Sequence, residues 1–242
     1  MEQGYYELCD NQYDSAFDKI SGLYRYPWIG NKYVESDYRI LILGDSHYAV
    51  DENGNESEAE VKRFKEDKNS TRGIVNCVIN DVCSNESTWT MFRNLISTFT
   101  SYTPEEVKYL WSNVAFYNFI QEPMKKRDQE PSSEEEKEGW RCFCEVIDII
   151  APRFCIFIGK RRSQELNTIK ELCSRFTFCE DKEICNKVHP LFGEIETKRG
   201  VLTQYLIIKH TSSYYSPDAW YQYLKNKRPE IIAQLDNHFI GK

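Results

Sequence analysis

Polar side chains that can carry acid, base or hydrogen-bond chemistry end or interrupt three short apolar runs of this sequence. The run RILIL leads into the tetrapeptide GDSH at 44–47, Asn118 interrupts the run at 113–120, and the run YLIIK leads into His210. A carboxylate, a carboxamide and an imidazole therefore each stand at or near the end of a segment that reads as a buried strand.

These three residue types together suit one reaction. The carboxylate of Asp45 can stabilise a cationic, sugar-like transition state or orient a water against it. The carboxamide of Asn118 offers donors and an acceptor that match the edge of a nucleobase, and the imidazole of His210 can stabilise the anion that develops on a leaving base. Tyr48 and Tyr117 adjoin these residues and are candidates to stack on a flipped base. The set predicts hydrolysis of an N-glycosidic bond.

Four short apolar runs predict the strands that must position these side chains, and helical patterns lie between them. Strands that alternate with helices favour a parallel sheet covered on both faces, with the carboxyl ends of the strands at one edge, where ligands bind. The predicted strands are 39–44, 113–120, 154–159 and 205–210, and the predicted helices are 88–99, 103–112, 133–151, 162–176 and 216–235, the last broken before Pro229.

The polar segments between these elements read as loops or insertions. They are residues 49–75, 121–135 and 177–200, and apolar strands resume after each. We therefore predict a single domain over 1–242, with residues 1–37 as an N-terminal, largely helical extension packed on it.

Composition excludes several classes of protein. The chain of 242 residues carries a net charge of −7, which disfavours non-specific binding to nucleic acid. No segment approaches the roughly 20 apolar residues that span a bilayer, and the acidic N-terminus is not a signal peptide, so we expect a cytoplasmic protein without a membrane partner. The nine cysteines are scattered and odd in number, and predict free thiols with no metal site or other cofactor.

Taken in order, the motifs resemble those of the uracil-DNA glycosylase superfamily. Its members carry a first motif such as G-Q-D-P-Y, G-E-A-P-G or G-[MI]-N-P-G, an Asn in a central strand, a Gly at a strand–helix junction, and a last strand ending in H-P-S. Here these positions correspond to the segment GDSHY (44–48), Asn118, Gly159 and the segment HTS (210–212). The chain departs from the family because His47 and Thr211 replace the prolines, Ser46 stands where Asp or Asn occurs elsewhere, and the iron–sulfur cysteines of some members have no counterpart.

The resemblance implies a three-layer α/β/α sandwich around a central, mainly parallel four-stranded sheet. It implies a monofunctional glycosylase acting on a deaminated or damaged base in single- or double-stranded DNA, with no metal or other cofactor. Asp45 and His210 would be catalytic, and Asn118, Tyr48 and Tyr117 would bind the base. Ser46, Ser212 and Lys160 would contact phosphates.

Three alternatives stay open at this point. The same fold would suit a binding module that reads a nucleotide or nucleobase without chemistry. The GDS sequence also resembles the first block of GDS-type esterases, in which Ser46 would be the nucleophile and the D-x-H pair Asp236 and His238 would supply the base. Finally, Asp45 can cap a turn and Asn118 can bond to a loop for purely structural reasons.

Overall fold

In a computed structural model of the chain, one mixed sheet runs through the described residues and has seven strands, in the order β1-β3-β2-β4-β7-β6-β5. The described residues are 6–51, 54–126, 129–159, 166–212 and 214–235. The strands are β1 (Trp28–Ile29), β2 (Ile40–Gly44), β3 (Val114–Asn118), β4 (Phe154–Ile158), β5 (Cys173–Glu180), β6 (Leu191–Thr197) and β7 (Leu202–Ile208).

The centre of the sheet is parallel, as the apolar runs predict. Strands β3, β2, β4 and β7 pair in parallel, and every residue of β2, β3 and β4 is buried. Burial on both faces explains why these strands read as continuous apolar runs rather than as alternating ones. The prediction of a four-stranded sheet is wrong in number, because β1, β6 and β5 extend this parallel centre by antiparallel pairing.

Helices cover both faces of the sheet and make three layers. The helices are α1 (Asp14–Phe17), α2 (Glu58–Glu66), α3 (Ser70–Cys83), α4 (Thr90–Phe99), α5 (Pro104–Asn113), α6 (Ser133–Ile150), α7 (Leu166–Leu172), α8 (Pro217–Lys227) and α9 (Pro229–Leu235). Ile40 and Ile42 of β2 point into a core shared with α3, α4, α5, α8 and α9, whereas Leu41 and Leu43 point into a core shared with α1, α6 and α7.

Three segments differ from their predicted structure. The helix predicted over 162–176 ends at Leu172 in the described residues, and the chain continues directly into β5. The loop predicted over 177–200 forms the rest of β5 and all of β6, which pair as an antiparallel hairpin at the outer edge of the sheet. The loop predicted over 49–75 contains α2 and the start of α3.

The N-terminal segment is less helical than predicted. Between residues 6 and 37 it contains the single turn α1, two 3-10 turns and the short strand β1, which pairs with β3. None of the described helices combines the length and the apolar character that crossing a bilayer requires.

Candidate functional site

The loop that carries Asp45 is fixed by backbone hydrogen bonds to the segment that follows β3. The carbonyls of Gly44 and Asp45 accept from Phe119 N and Ile120 N at 3.0 and 2.9 Å. Further along, His47 O accepts from Met124 N at 2.7 Å. The parallel pairing of β2 with β3 is thereby prolonged beyond the strands, so the polar residues after β2 occupy a defined position at the carboxyl edge of the sheet.

Asp45 and His210 converge on Gly159, which follows β4 between them. A Cβ atom placed on Gly159 would lie 3.5 Å from His210 Cδ2 and 3.9 Å from both Cγ and Oδ2 of Asp45. Gly159 has a φ of +104°, a conformation that side chains rarely adopt. The carboxylate and the imidazole therefore both approach the space into which a side chain at this position would project.

The imidazole of His210 is oriented by Ser212. Nδ1 of His210 accepts the backbone N–H of Ser212 at 3.2 Å and lies 2.8 Å from Ser212 Oγ. Because a backbone N–H can only donate, Nδ1 must present its lone pair, and the ring proton then resides on Nε2. Nε2 is bonded to Cδ2, the atom that approaches Gly159, so the N–H donor lies on the side of the ring nearest the shared space.

Helix α4 holds the loop that follows β7. Asn94 Nδ2 donates to Thr211 O at 2.7 Å, and Thr98 Oγ1 lies 3.0 Å from the hydroxyl of Tyr215. Thr211 is fully buried, which fixes the backbone on one side of His210. Tyr214, by contrast, is 91% exposed.

Asn118 lies beside Gly44 on the neighbouring strand and is 7% exposed. Its Nδ2 donates to Ser46 O at 3.2 Å, while its buried Oδ1 has no hydrogen-bond partner among the described residues. A Cβ atom on Gly44 would overlap Asn118 Oδ1, so the glycine allows the amide to lie across the end of β2. Asn118 thus supports the loop that follows β2 and carries Asp45, Ser46 and His47 (the motif loop) with its donor, and it retains an unused acceptor.

The other predicted base-binding residues lie in different environments. Tyr48 is 41% exposed and remains available to a ligand. Tyr117 is fully buried in the core that faces α6, so a flipped base could not stack on it without opening that core.

The predicted phosphate-binding residues are only partly brought together. Ser212 is exposed next to His210, and Ser46 is partly buried in the motif loop. Lys160 lies outside the described residues, as do Asp236 and His238 of the alternative esterase. A serine nucleophile needs a hydrogen bond to a base such as histidine. Within the described ranges, no hydrogen bond joins Ser46 Oγ to a histidine.

The sequence does not point to Arg25, which is fully buried beneath the motif loop. Its Nη1 donates to Gln121 O at 2.8 Å, and Gln121 Nε2 in turn donates to Asn118 O at 2.8 Å. An arginine in the segment YRYPW carries no periodicity or motif that would predict burial, so only the three-dimensional structure could reveal it.

In the described part of the chain, no three His, Cys, Asp or Glu side chains are grouped so that they could hold a metal ion. No protein-family model matches this sequence, and no curated protein matches it either.

Proposed function

We propose that the protein hydrolyses the N-glycosidic bond of a deaminated or damaged, uracil-type base in DNA after the base is flipped out of the helix. The observation that chiefly supports this proposal is the convergence of Asp45 and His210 on Gly159, with Asn118 on the adjoining strand.

Each side chain has a defined part in the proposed reaction. Asp45 stabilises positive charge at the anomeric carbon and orients the attacking water, whose oxygen forms the new bond to that carbon. The bond between carbon and base nitrogen breaks, and its electron pair leaves with the base. The Nε2–H of His210 stabilises the resulting anion, which the proton released by water finally neutralises.

Asn118 would contribute to recognition of the base. Its buried acceptor Oδ1 needs a donor, because a buried polar group without a partner costs free energy. The ring N–H of a uracil-type base is such a donor. The exposed Tyr214 and Tyr48 are the aromatic residues of this region that can stack on DNA.

The proposal is tested with oligonucleotides that contain uracil, hypoxanthine or xanthine, in single- and double-stranded form, incubated with excess protein and then cleaved with alkali at abasic sites. Asp45→Asn should abolish cleavage. Asp37→Asn is the matched control, because Asp37 is an exposed aspartate just before β2, at the opposite end of that strand. Absence of abasic sites with the wild-type protein, or equal cleavage by Asp45→Asn, would contradict the proposal.

A binding module that reads a nucleotide or nucleobase without chemistry is the second candidate. The net charge of −7 favours it, because repulsion of phosphates weakens the non-specific binding that a DNA-scanning enzyme needs. Base or nucleotide binding that survives Asp45→Asn, without turnover by the wild-type protein, would identify this candidate.

A further inference from the structure

Two arginines of the chain are buried in very different ways. Arg72 is 4% exposed and fully engaged: Nη1 and Nη2 contact both carboxylate oxygens of Asp14 at 3.0 and 2.5 Å, and Nε donates to Pro27 O at 3.1 Å. Arg25 is 0% exposed, yet its Nε and Nη2 have no hydrogen-bond partner among the described residues.

The guanidinium of Arg25 remains charged at neutral pH. Burial lowers the pKa of Arg25 to about 10, while the carboxylates of Glu122 and Asp67 act in the opposite direction. Neither carboxylate hydrogen-bonds the guanidinium in the described structure, and Glu122 is paired with Lys65 at 2.6 Å. A buried cation without an anionic partner is costly, so a bound anion would stabilise this position.

A second polar group without a partner lies next to Arg25. His47 is 5% exposed, and its buried Nε2 has no hydrogen-bond partner within the described ranges. The ring of Phe64 covers both residues: the Arg25 Cζ lies 4.8 Å from its centroid, and the His47 ring centroid lies 5.6 Å from it.

The helix that carries Phe64 is attached only lightly. No residue of α2 is buried, and its ion pairs, such as Lys65 with Glu122, are partly exposed. Displacement of this helix would therefore uncover the guanidinium of Arg25 on the side that Phe64 covers, without opening either core. Its Nε and Nη2 are the donors without a partner. These two donors form the fork that binds two oxygens of a phosphate.

We infer that Arg25 and His47 form a phosphate-binding site beneath α2, with Phe64 as its cover. The site adjoins the candidate functional site, because Gln121 links Arg25 to Asn118 and His47 is two residues from Asp45. Inorganic phosphate, a nucleotide and the backbone of nucleic acid all carry the chemistry that the site recognises. The inference stands without the proposed function, and its test involves no base excision.

The test measures the unfolding temperature in sodium phosphate against sodium chloride of equal ionic strength. In wild-type protein the unfolding temperature should rise with the logarithm of phosphate concentration once binding saturates. Arg25→Met should lose this rise, and His47→Gln should weaken phosphate binding about 10-fold, the effect of one hydrogen bond. Arg63→Gln is the matched control, since Arg63 is an exposed arginine of α2 whose Cζ lies 5.7 Å from the same Phe64 ring.

Two further variants keep the test decisive if Arg25→Met fails to fold. Arg25→Lys retains the charge but not the fork, and should also weaken phosphate binding at least about 10-fold. Phe64→Ala removes the cover and should tighten binding. The absence of a phosphate-specific rise in both wild type and Phe64→Ala, or a rise in Arg25→Lys and His47→Gln equal to that of wild type, would overturn the inference. Parallel titrations with a deoxynucleoside monophosphate and a short oligonucleotide identify the natural source of the phosphate by their relative affinities.

Discussion

His210 and Ser212 are joined in a way that sets the tautomer of the imidazole: Nδ1 of His210 accepts the backbone N–H of Ser212 at 3.2 Å. His189 provides the opposite case within the same chain, because its Nδ1 lies 2.8 Å from the carbonyl oxygen of Asp181 and must donate to it. In their neutral forms the two imidazoles are therefore opposite tautomers.

Nitrogen NMR checks this relationship directly. In uniformly labelled protein above the pKa of both rings, His210 should show a protonated Nε2 and His189 a protonated Nδ1. Ser212→Ala should leave the tautomer of His210 unchanged, because the backbone donor remains. A protonated Nδ1 on His210 would contradict the assignment and would remove the donor on which the proposed stabilisation of a leaving base depends.

Gly44→Ala should destabilise the protein and disturb Asn118. The added Cβ would overlap Asn118 Oδ1 and lie 3.2 Å from Phe116 Cζ, both in a buried environment. Overpacking of this kind costs about 1–3 kcal/mol in the free energy of unfolding, which denaturant unfolding measures.

Gly73→Ala is the control for this substitution. Gly73 lies inside α3, and among the described residues outside that helix a Cβ there would meet only the Tyr6 hydroxyl, at 3.5 Å. Alanine in a helix should stabilise the protein by about 0.5–1 kcal/mol. Equal stability of Gly44→Ala and wild type would show that Asn118 does not need to lie across Gly44.

The parallel centre of the fold was predictable because its strands are buried on both faces and are therefore uniformly apolar. Strands β5 and β6 were not, because one side of an outer hairpin faces water. In β5 most residues are exposed, and polar residues alternate with aromatic ones such as Phe176 and Phe178, a strand-like pattern that the prediction divided between the end of the helix 162–176 and the loop 177–200. Their pairing depends on contacts with β7 that no local pattern encodes.

The candidate site was predictable to the extent that it lies at strand ends. Asp45 and His210 follow from topology, since parallel strands bring their carboxyl ends to one edge. The burial of Tyr117 was not predicted, because a strand buried on both faces is apolar throughout and its sequence does not show which of the two cores each side chain enters. Arg25 was missed because a charged residue is ordinarily expected at the surface.

The stability of the protein should fall below pH 6.5 because of His47. Burial, together with the charge of Arg25, holds the pKa of His47 well below its usual value near 6.5. Between these two values the unfolded chain binds a proton that the folded protein does not, so the free energy of unfolding decreases as the pH falls. From pH 7.5 to 5.5 this contribution amounts to about 1.4 kcal/mol.

His47→Gln isolates this contribution. As the pH falls from 7.5 to 5.5, the free energy of unfolding of wild type should decrease by about 1.4 kcal/mol more than that of His47→Gln. The measurement uses buffers free of phosphate and sulfate, so that an anion on Arg25 does not add to it. A pH-independent difference would show that His47 is protonated in the folded state or accessible to water.

Tyr214→Ala should weaken binding to single-stranded DNA without changing stability. Tyr214 is 91% exposed, its carbonyl is held by Lys209 Nζ at 2.8 Å, and it follows His210 by four residues. The ring makes few contacts that folding requires, so the free energy of unfolding should change by less than about 0.5 kcal/mol. Stacking of a base on an aromatic ring contributes about 1–3 kcal/mol, so the dissociation constant for a short oligonucleotide should rise about 5- to 150-fold.

Tyr214→Phe should retain the affinity, since the ring rather than the hydroxyl stacks, and Phe178→Ala on the outer strand β5 is the control for the loss of a large exposed ring. Unchanged affinity in Tyr214→Ala, measured by fluorescence anisotropy at fixed salt, would contradict the stacking of a base on Tyr214.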